Sequence, residues 1–203
     1  MNRVLINKQL VVASHNDGKI IEISDLLSPY GIKIFSSAGL KLREPEEDGD
    51  TFIENSEIKS KSASIESGLV ALADDSGLVV PSLGGIPGIH SARYAYNPWS
   101  EERDFKYAMD KLNIEIGNKD RSAHFVCALS LAWPDGHIET FEGEVHGKLT
   151  WPIRGNNGFG YDPMFIANGF DQTFGEMDPV SKHSISHRAK AFEKLIDACF
   201  KPQ

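Results

Sequence analysis

The chain has 203 residues, 40% of them hydrophobic and 25% charged, which is the ordinary composition of a globular protein. This length suits one domain, or two small lobes that share a core. The formal net charge of -8 argues against duplex DNA or RNA as the main partner, because nucleic-acid-binding proteins usually carry a basic surface.

Membrane and secretory segments are not expected in this sequence. The longest apolar stretch, residues 125–133, is interrupted by Ser130 and is too short to span a bilayer. The start of the chain lacks the pattern of a secretory signal. Cys127 and Cys199 lack metal-type spacing and lie in apolar patterns, so we interpret them as reduced core thiols of a cytoplasmic protein.

The first third of the sequence predicts a β-α-β opening. Residues 10–13 have the pattern of a short buried strand, residues 14–18 that of a turn, and residues 19–27 helical spacing. A second strand is predicted at 32–35. Thr51 and Glu54 form a capping-box pattern, which predicts a helix from there to about Glu66.

Later elements follow from the same patterns. Residues 69–73 predict a strand that ends at Asp74 and Asp75, with a Ser-Gly turn after them. A helix is expected from Pro98 to about Leu112. Two strands are predicted at residues 123–133 and 137–145, on either side of a Pro-Asp-Gly turn. Ser186 is expected to cap a last helix. No linker is visible, so we treat residues 1–203 as one unit that can be bilobed.

The adjacent acids Asp74 and Asp75 are the most informative pair in the chain. Burying two carboxylates at the end of a strand is costly unless a cation offsets them, and carboxylate oxygens are ligands that Mg²⁺ prefers. Neighbouring residues on a strand point to opposite faces, so the two acids should have different roles. The alternative is an acidic turn or helix cap. Glu46 and Glu47 could add oxygen ligands from a separate segment, or belong to a solvated acidic loop.

Three further segments have the residue types that hold a nucleotide. Residues 14–19 join a strand to a helix, where exposed amides and Lys19 favour phosphate, although a plain capped helix start is the alternative. Residues 158–162 could stack a base on an aromatic ring, or form a packed turn. The cations around Ser186 could meet an oxyanion or a purine carbonyl, or form a solvated basic helix start. Together these segments predict a nucleoside triphosphate held through a metal ion.

In its motifs the sequence closely resembles the bacterial noncanonical purine NTP pyrophosphatases, the inosine/xanthosine triphosphate pyrophosphatase family. The matching segments occur in the family's order and span nearly the whole chain. They are residues 13–19, 51–55, 73–78, 84–94, 158–163 and 186–188. The chain departs from the family pattern at His15, where glycine is usual, and at Ser14, where threonine is commoner.

The resemblance implies a hydrolase that converts ITP, dITP and XTP to the monophosphate and pyrophosphate with Mg²⁺. It also implies an elongated mixed α/β fold with a long central sheet, flanking helices and two lobes with a cleft between them, and a homodimer. The acidic charge and the short apolar stretches predict that the protein binds neither nucleic acid nor membrane. Two rivals stay open: a metal-dependent pyrophosphatase for another modified nucleotide, and a nucleotide-binding module without catalysis.

The resemblance further implies roles for single residues. Asp75 would be the general base and a metal ligand, with Glu47 or Glu46 completing the metal site. The substrate-binding residues at the phosphates would be Ser14, His15, Asn16, Asp17, Gly18, Lys19 and Lys59. Those around the base and sugar would be Phe159, Gly160, Tyr161, Asp162, Lys182, His187 and Arg188, and Ser76 would also touch the substrate.

Overall fold

The computed structural model describes residues 3–200. Its strands are β1 (Gln9–Ala13), β2 (Lys33–Ser36), β3 (Ala71–Val79), β4 (Tyr96–Asn97), β5 (Glu102–Arg103), β6 (Ser122–Ala132), β7 (Ile138–Leu149) and β8 (Phe165–Ala167). Six of them form one sheet in the order β2-β1-β3-β6-β7-β8, and β4 pairs with β5 separately. Because β1 runs parallel to β2 and β3 while β7 runs antiparallel to β8, the sheet is mixed. The predicted mixed α/β class is confirmed.

The helices are α1 (Asp17–Leu27), α2 (Ser37–Leu40), α3 (Phe52–Ser67), α4 (Ser91–Tyr94), α5 (Phe105–Ile116), α6 (Pro179–Ile185) and α7 (His187–Cys199). The capping box predicted for α3 is present: Thr51 accepts the amide of Glu54, and Glu54 accepts the amide of Thr51. Gly68 ends this helix in a left-handed conformation that glycine adopts without steric cost. The predicted β-α-β opening is confirmed by β1, α1 and β2.

Two predictions of local structure were wrong. The expected turn at Ser76 and Gly77 does not form, because β3 continues through both residues to Val79. The helix expected from Pro98 begins instead at Phe105, where the Asp104 side chain caps it by accepting the amide of Tyr107. In the first place pairing within the sheet overrode the turn propensity of Ser76 and Gly77. In the second, residues 98–101 form the turn between β4 and β5, and Asp104 supplies the N-cap further along the chain.

The chain divides into two compact units. Unit 1 comprises Met1–Asp75, Cys127–Gly143 and Arg188–Gln203, and unit 2 comprises Ser76–Val126 and Glu144–His187. In unit 1 an apolar cluster joins β1, α1 and α7 through residues such as Leu10, Ile23 and Leu195. In unit 2 a separate cluster packs α5 against β6 and β8, with Leu112, Phe125 and Phe165 among its members.

Candidate active site

In unit 1, β3 delivers Asp74 and Asp75 into a buried charged cluster. We define this cluster as Lys19, Glu22, Glu47, Lys59, Asp74, Asp75 and Arg188. The two aspartates are 1% and 5% exposed. As expected for neighbours on a strand, they have different partners: Asp74 pairs with Lys19 and Arg188, whereas Asp75 pairs with Lys59.

Lys59 joins two of the acids from α3. Its Nζ lies 2.9 Å from Oδ1 of Asp75 and 3.0 Å from Oε1 of Glu47, and it donates to the backbone carbonyl of Asp74 at 3.0 Å. Burial alone would lower the pKa of Lys59, but the two carboxylates outweigh it and raise that pKa. Lys59 is therefore a charged ammonium that both carboxylates share.

Asp75 keeps one oxygen available. Its Oδ1 accepts from Lys59, while its Oδ2 is buried and has no hydrogen-bond partner. Burial raises the pKa of Asp75 above its usual value, and Lys59 and Lys19 offset this only in part. An unpartnered buried carboxylate oxygen is costly, which is typical of an atom that meets a ligand, a water or a metal ion.

The acids fit a metal site of the magnesium type. Within residues 3–200, no group of three or more His, Cys, Asp or Glu side chains is arranged to hold a metal ion. Mg²⁺ is usually held by only one or two carboxylates together with substrate phosphates, and Asp75 with Glu47 meets that requirement. Glu46 is exposed, whereas Glu47 is half-buried against Lys59, which favours Glu47 of the two glutamates.

The predicted phosphate loop lies between β1 and α1. The side chain of Asn16 caps α1 by accepting the amide of Lys19 at 3.1 Å, and the buried hydroxyl of Ser14 accepts the amide of Asn16. Asp17 and Gly18 begin α1, and His15 lies 3.5 Å from Glu44. The Lys19 Nζ contacts Asp74 Oδ1 at 2.6 Å, so the loop and the acidic strand meet within unit 1.

Arg188 is 1% exposed at the start of α7. Its Nε donates to Asp74 Oδ2 at 2.8 Å, and its Nη1 donates to Glu22. Burial alone would raise the pKa of Asp74, but Arg188 and Lys19 outweigh it and hold that pKa well below its usual range. The base-reading role that the resemblance implies for Arg188 stays a prediction, whereas its ion pairs with Asp74 and Glu22 are observed.

Two members of this environment were missed by the sequence analysis. Glu22 lies on α1 three residues after Lys19, so the two share a helix face, and it precedes the buried Ile23. This spacing was the available signal that Glu22 is a buried acid. Cys127 was interpreted as a core thiol, and it is fully buried, yet its Sγ lies 3.0 Å from Asp74 Oδ2. No local pattern relates Cys127 to an acid 53 positions away.

In unit 2, the predicted base-binding segment forms a compact turn. Phe159 is half-buried, and the Lys182 Nζ lies 5.0 Å from the centroid of its ring. Asp162 accepts the Phe159 amide at 2.8 Å and the Lys182 ammonium at 2.6 Å, and both Asp162 and Lys182 are buried. The aromatic ring is thus held beside a fixed, paired cation.

The other predicted substrate-binding residues of unit 2 are placed as follows. The ring of Tyr161 is buried against Phe105, and its hydroxyl donates to the carbonyl of Ser91. Gly160 has a positive φ of 65°. His187 is buried and stacks on Phe125 with ring centroids 4.9 Å apart, and Ser76 is half-buried on β3. Tyr161 therefore supports the turn through its packing and its hydroxyl.

A Gly158→Ala variant is expected to disturb the turn of Phe159. Gly158 has a φ of 72°, and a Cβ placed there would overlap Asp162 Oδ2. We expect a loss of about 1–3 kcal/mol of unfolding free energy, because the left-handed backbone disfavours alanine and Asp162 must move. Urea unfolding measures this loss. Gly136→Ala, which also has a positive φ but meets no atom within 4 Å, is the matched control. Equal losses would show that Asp162 does not restrict this position.

The fold and the charged cluster define a class: a mixed α/β protein with paired acids on a central strand and a capped helix start beside them. The sequence pattern of the Ham1 family matches residues 10–198, and the chain belongs to this family. No helix within residues 3–200 is both long and apolar enough to cross a membrane.

Curated relatives and solved structures agree with this assignment. The chain is 54% identical to the dITP/XTP pyrophosphatase of Zymomonas mobilis, with 95% of this chain and 92% of the relative covered. It is 52% identical to the dITP/XTP pyrophosphatase of Rhodospirillum centenum, with 94% of each covered. Its fold is similar to the HAM1 protein from Coxiella burnetii, with a TM-score of 0.83 and 36% identity over 92% of this chain and 95% of that one.

Proposed function

We propose that this chain hydrolyses noncanonical purine nucleoside triphosphates, namely ITP, dITP and XTP, to the monophosphate and pyrophosphate. The curated relatives, which are named dITP/XTP pyrophosphatases, support the reaction and two of the substrates, dITP and XTP. The observation that carries the proposal is Asp75, whose Oδ2 is buried without a partner while its Oδ1 is held by Lys59.

In this proposal Mg²⁺ is the metal, and Glu47 and Asp75 would hold it. Two carboxylates share the single positive charge of Lys59, so this side of the cluster carries excess negative charge when both acids are ionised. A polyanionic triphosphate would be repelled there without a further cation. Bound Mg²⁺ would supply charge neutralisation at the phosphates and would lower the pKa of water.

Asp75 would act as the general base. A base is most effective when its pKa lies near the working pH, and burial raises the pKa of Asp75 in that direction. Lys59 fixes the carboxylate through Oδ1, which leaves Oδ2 to accept the proton of the attacking water. Transfer of that proton makes the water a stronger nucleophile for attack at phosphorus.

Lys19 and Lys59 would meet the charge that develops on the departing pyrophosphate. Asp74 holds both ammonium groups. Its backbone carbonyl oxygen accepts from Lys19 and from Lys59, and its carboxylate also pairs with Lys19. Fixed cations that need no rearrangement stabilise a transition state more than mobile ones. Backbone amides at the start of α1 would add donors for phosphate oxygens.

The residues of unit 2 would recognise the base. The half-buried ring of Phe159 would stack on a purine, and the ammonium of Lys182 would donate to its 6-oxo group. Adenine carries an amino group at that position, so a donor of the protein would be left unpaired. Asp162 would hold the ammonium in place.

From the resemblance to the family we also propose that the protein is a homodimer in the cytoplasm. Light scattering of the purified protein would measure its mass.

A substrate panel tests the proposed function. We expect pyrophosphate release from ITP, dITP and XTP that requires Mg²⁺ and exceeds release from ATP by about 10²-fold or more in kcat/KM, because ATP leaves a buried donor unpaired. Comparable turnover of ATP and ITP would contradict the purine selectivity. Tight binding of ITP without product would instead favour a binding module, and turnover of modified pyrimidines alone would favour a different substrate.

A further inference from the structure

Asp74 lies at the centre of the charged cluster and contacts both lysines, although no step of the proposed reaction acts on its carboxylate. Its Oδ1 accepts the Lys19 ammonium at 2.6 Å. Its carbonyl oxygen accepts Lys59 at 3.0 Å and Lys19 at 3.4 Å. One residue thus contacts both lysines that would face the phosphates.

The second carboxylate oxygen of Asp74 has two buried donors. Arg188 Nε donates to Oδ2 at 2.8 Å, and the Cys127 thiol donates to the same oxygen at 3.0 Å. Cys127 and Asp74 are 0% and 1% exposed, so water does not compete for this oxygen. Two donors on Oδ2 fix the carboxylate plane, and the fixed plane determines where Oδ1 holds Lys19.

We propose that Asp74 is a positioning residue that sets the ammonium groups of Lys19 and Lys59, and that the thiol of Cys127 takes part by orienting the Asp74 carboxylate. This inference rests on the proposed function for the identity of the phosphate substrate. The contrast with Asp75 supports it, because every oxygen of Asp74 is occupied by a donor while Oδ2 of Asp75 is available. Asp74 therefore positions the lysines, whereas Asp75 takes part in the reaction.

The test compares Cys127→Ala with Cys127→Ser. Alanine removes the donor, whereas serine keeps an O–H that can reach the carboxylate. We expect Cys127→Ala to lower kcat on ITP about tenfold with a smaller change in KM, since misplaced lysines lose transition-state contacts more than ground-state ones. Cys127→Ser should retain most of kcat. If the thiol only fills space, Cys127→Ser should lower kcat more than Cys127→Ala does, because a hydroxyl fits an apolar site worse than a methyl group does.

Cys199 provides the matched control. It is also fully buried and belongs to the same apolar cluster of unit 1. Cys199→Ser should be no better than Cys199→Ala in kcat or in melting temperature. If serine equals or falls below alanine at Cys127 as well, the positioning role is overturned.

A binding measurement separates this inference from the proposed function. Calorimetry with inorganic tripolyphosphate in buffer that contains Mg²⁺ reports the placement of the lysines without requiring turnover of a nucleotide. We expect Cys127→Ala to bind tripolyphosphate about threefold more weakly than wild type, a smaller loss than that in kcat, and Cys127→Ser to bind it nearly as well as wild type. Equal binding by all three proteins, or none by wild type, would overturn the inference. A wild-type protein that binds tripolyphosphate in this pattern but turns over no purine triphosphate would overturn only the proposed function.

Discussion

Asp75→Asn is expected to lower turnover of ITP by about 10³-fold, within the range of about 10²–10⁴ that a positioned general base contributes. Asparagine keeps the size of the side chain and can still accept from Lys59, but it cannot take a proton from water. Its amide is also neutral, so it lacks the negative charge that the Asp75 carboxylate would offer to Mg²⁺. The measurement is pyrophosphate release under saturating substrate, with calorimetry of nucleotide binding on the same variant.

The same variant is expected to be more stable than wild type at neutral pH. Because the pKa of Asp75 is raised in the folded chain, the folded state binds this proton more tightly than the unfolded state does. Ionisation of Asp75 therefore costs stability as the pH rises above its ordinary pKa. Below that value the carboxyl is protonated in both states, and the two proteins should converge.

Asp171→Asn is a suitable control, since Asp171 is exposed in unit 2. It should leave turnover unchanged. If Asp75→Asn retained turnover within tenfold of wild type, another group would have to accept the proton. If Asp75→Asn lost stability at neutral pH, burial of the unpartnered Oδ2 would not destabilise the folded state of wild type.

Local patterns were sufficient to predict much of the scaffold of the site. Thr51 and Glu54 determined the start of α3, and with it the position of Lys59, through a capping box that needs only four residues. The apolar residues of β1 and the spacing of α1 placed the connection between them correctly, although α1 begins at Asp17, two residues before the predicted start at Lys19. These elements depend on neighbours within one or two turns of the chain.

The interior of the charged cluster could not be predicted in the same way. The contact between Arg188 and Glu22 joins residues 166 positions apart, and that between Arg188 and Asp74 spans 114. The continuation of β3 through Ser76 and Gly77 likewise depends on pairing within the sheet, which overrode their turn propensity. The sequence identified the ionisable groups of the cluster except Glu22, and only the fold determined which of them compensate one another.

Arg188→Met is expected to lower the free energy of unfolding by about 3–5 kcal/mol, the usual cost of removing one partner from a buried ion pair. Methionine is long and apolar enough to fill much of the space of the arginine stem. The change would leave Glu22 and Asp74 buried without the guanidinium that contacts both. Urea unfolding at neutral pH measures the loss.

The loss should shrink in acid. In wild type Arg188 and Lys19 overcome the effect of burial and hold the pKa of Asp74 well below its usual range, so ionised Asp74 stabilises the fold above its ordinary pKa. That contribution disappears as the pH falls through the lowered pKa of the folded state. Without Arg188 the carboxyl takes up its proton at higher pH, and the stability curves of the two proteins approach each other in acid.

A double variant separates charge compensation from packing. Glu22→Gln removes one of the two charges that Arg188→Met leaves uncompensated, so the double variant should lose less stability than the sum of the single losses. Additive losses would mean that Arg188 acts through its stem and not through its charge. A loss below about 1 kcal/mol for Arg188→Met alone would place the guanidinium among exposed ion pairs, whose contribution is of that size, and would contradict its burial between Asp74 and Glu22.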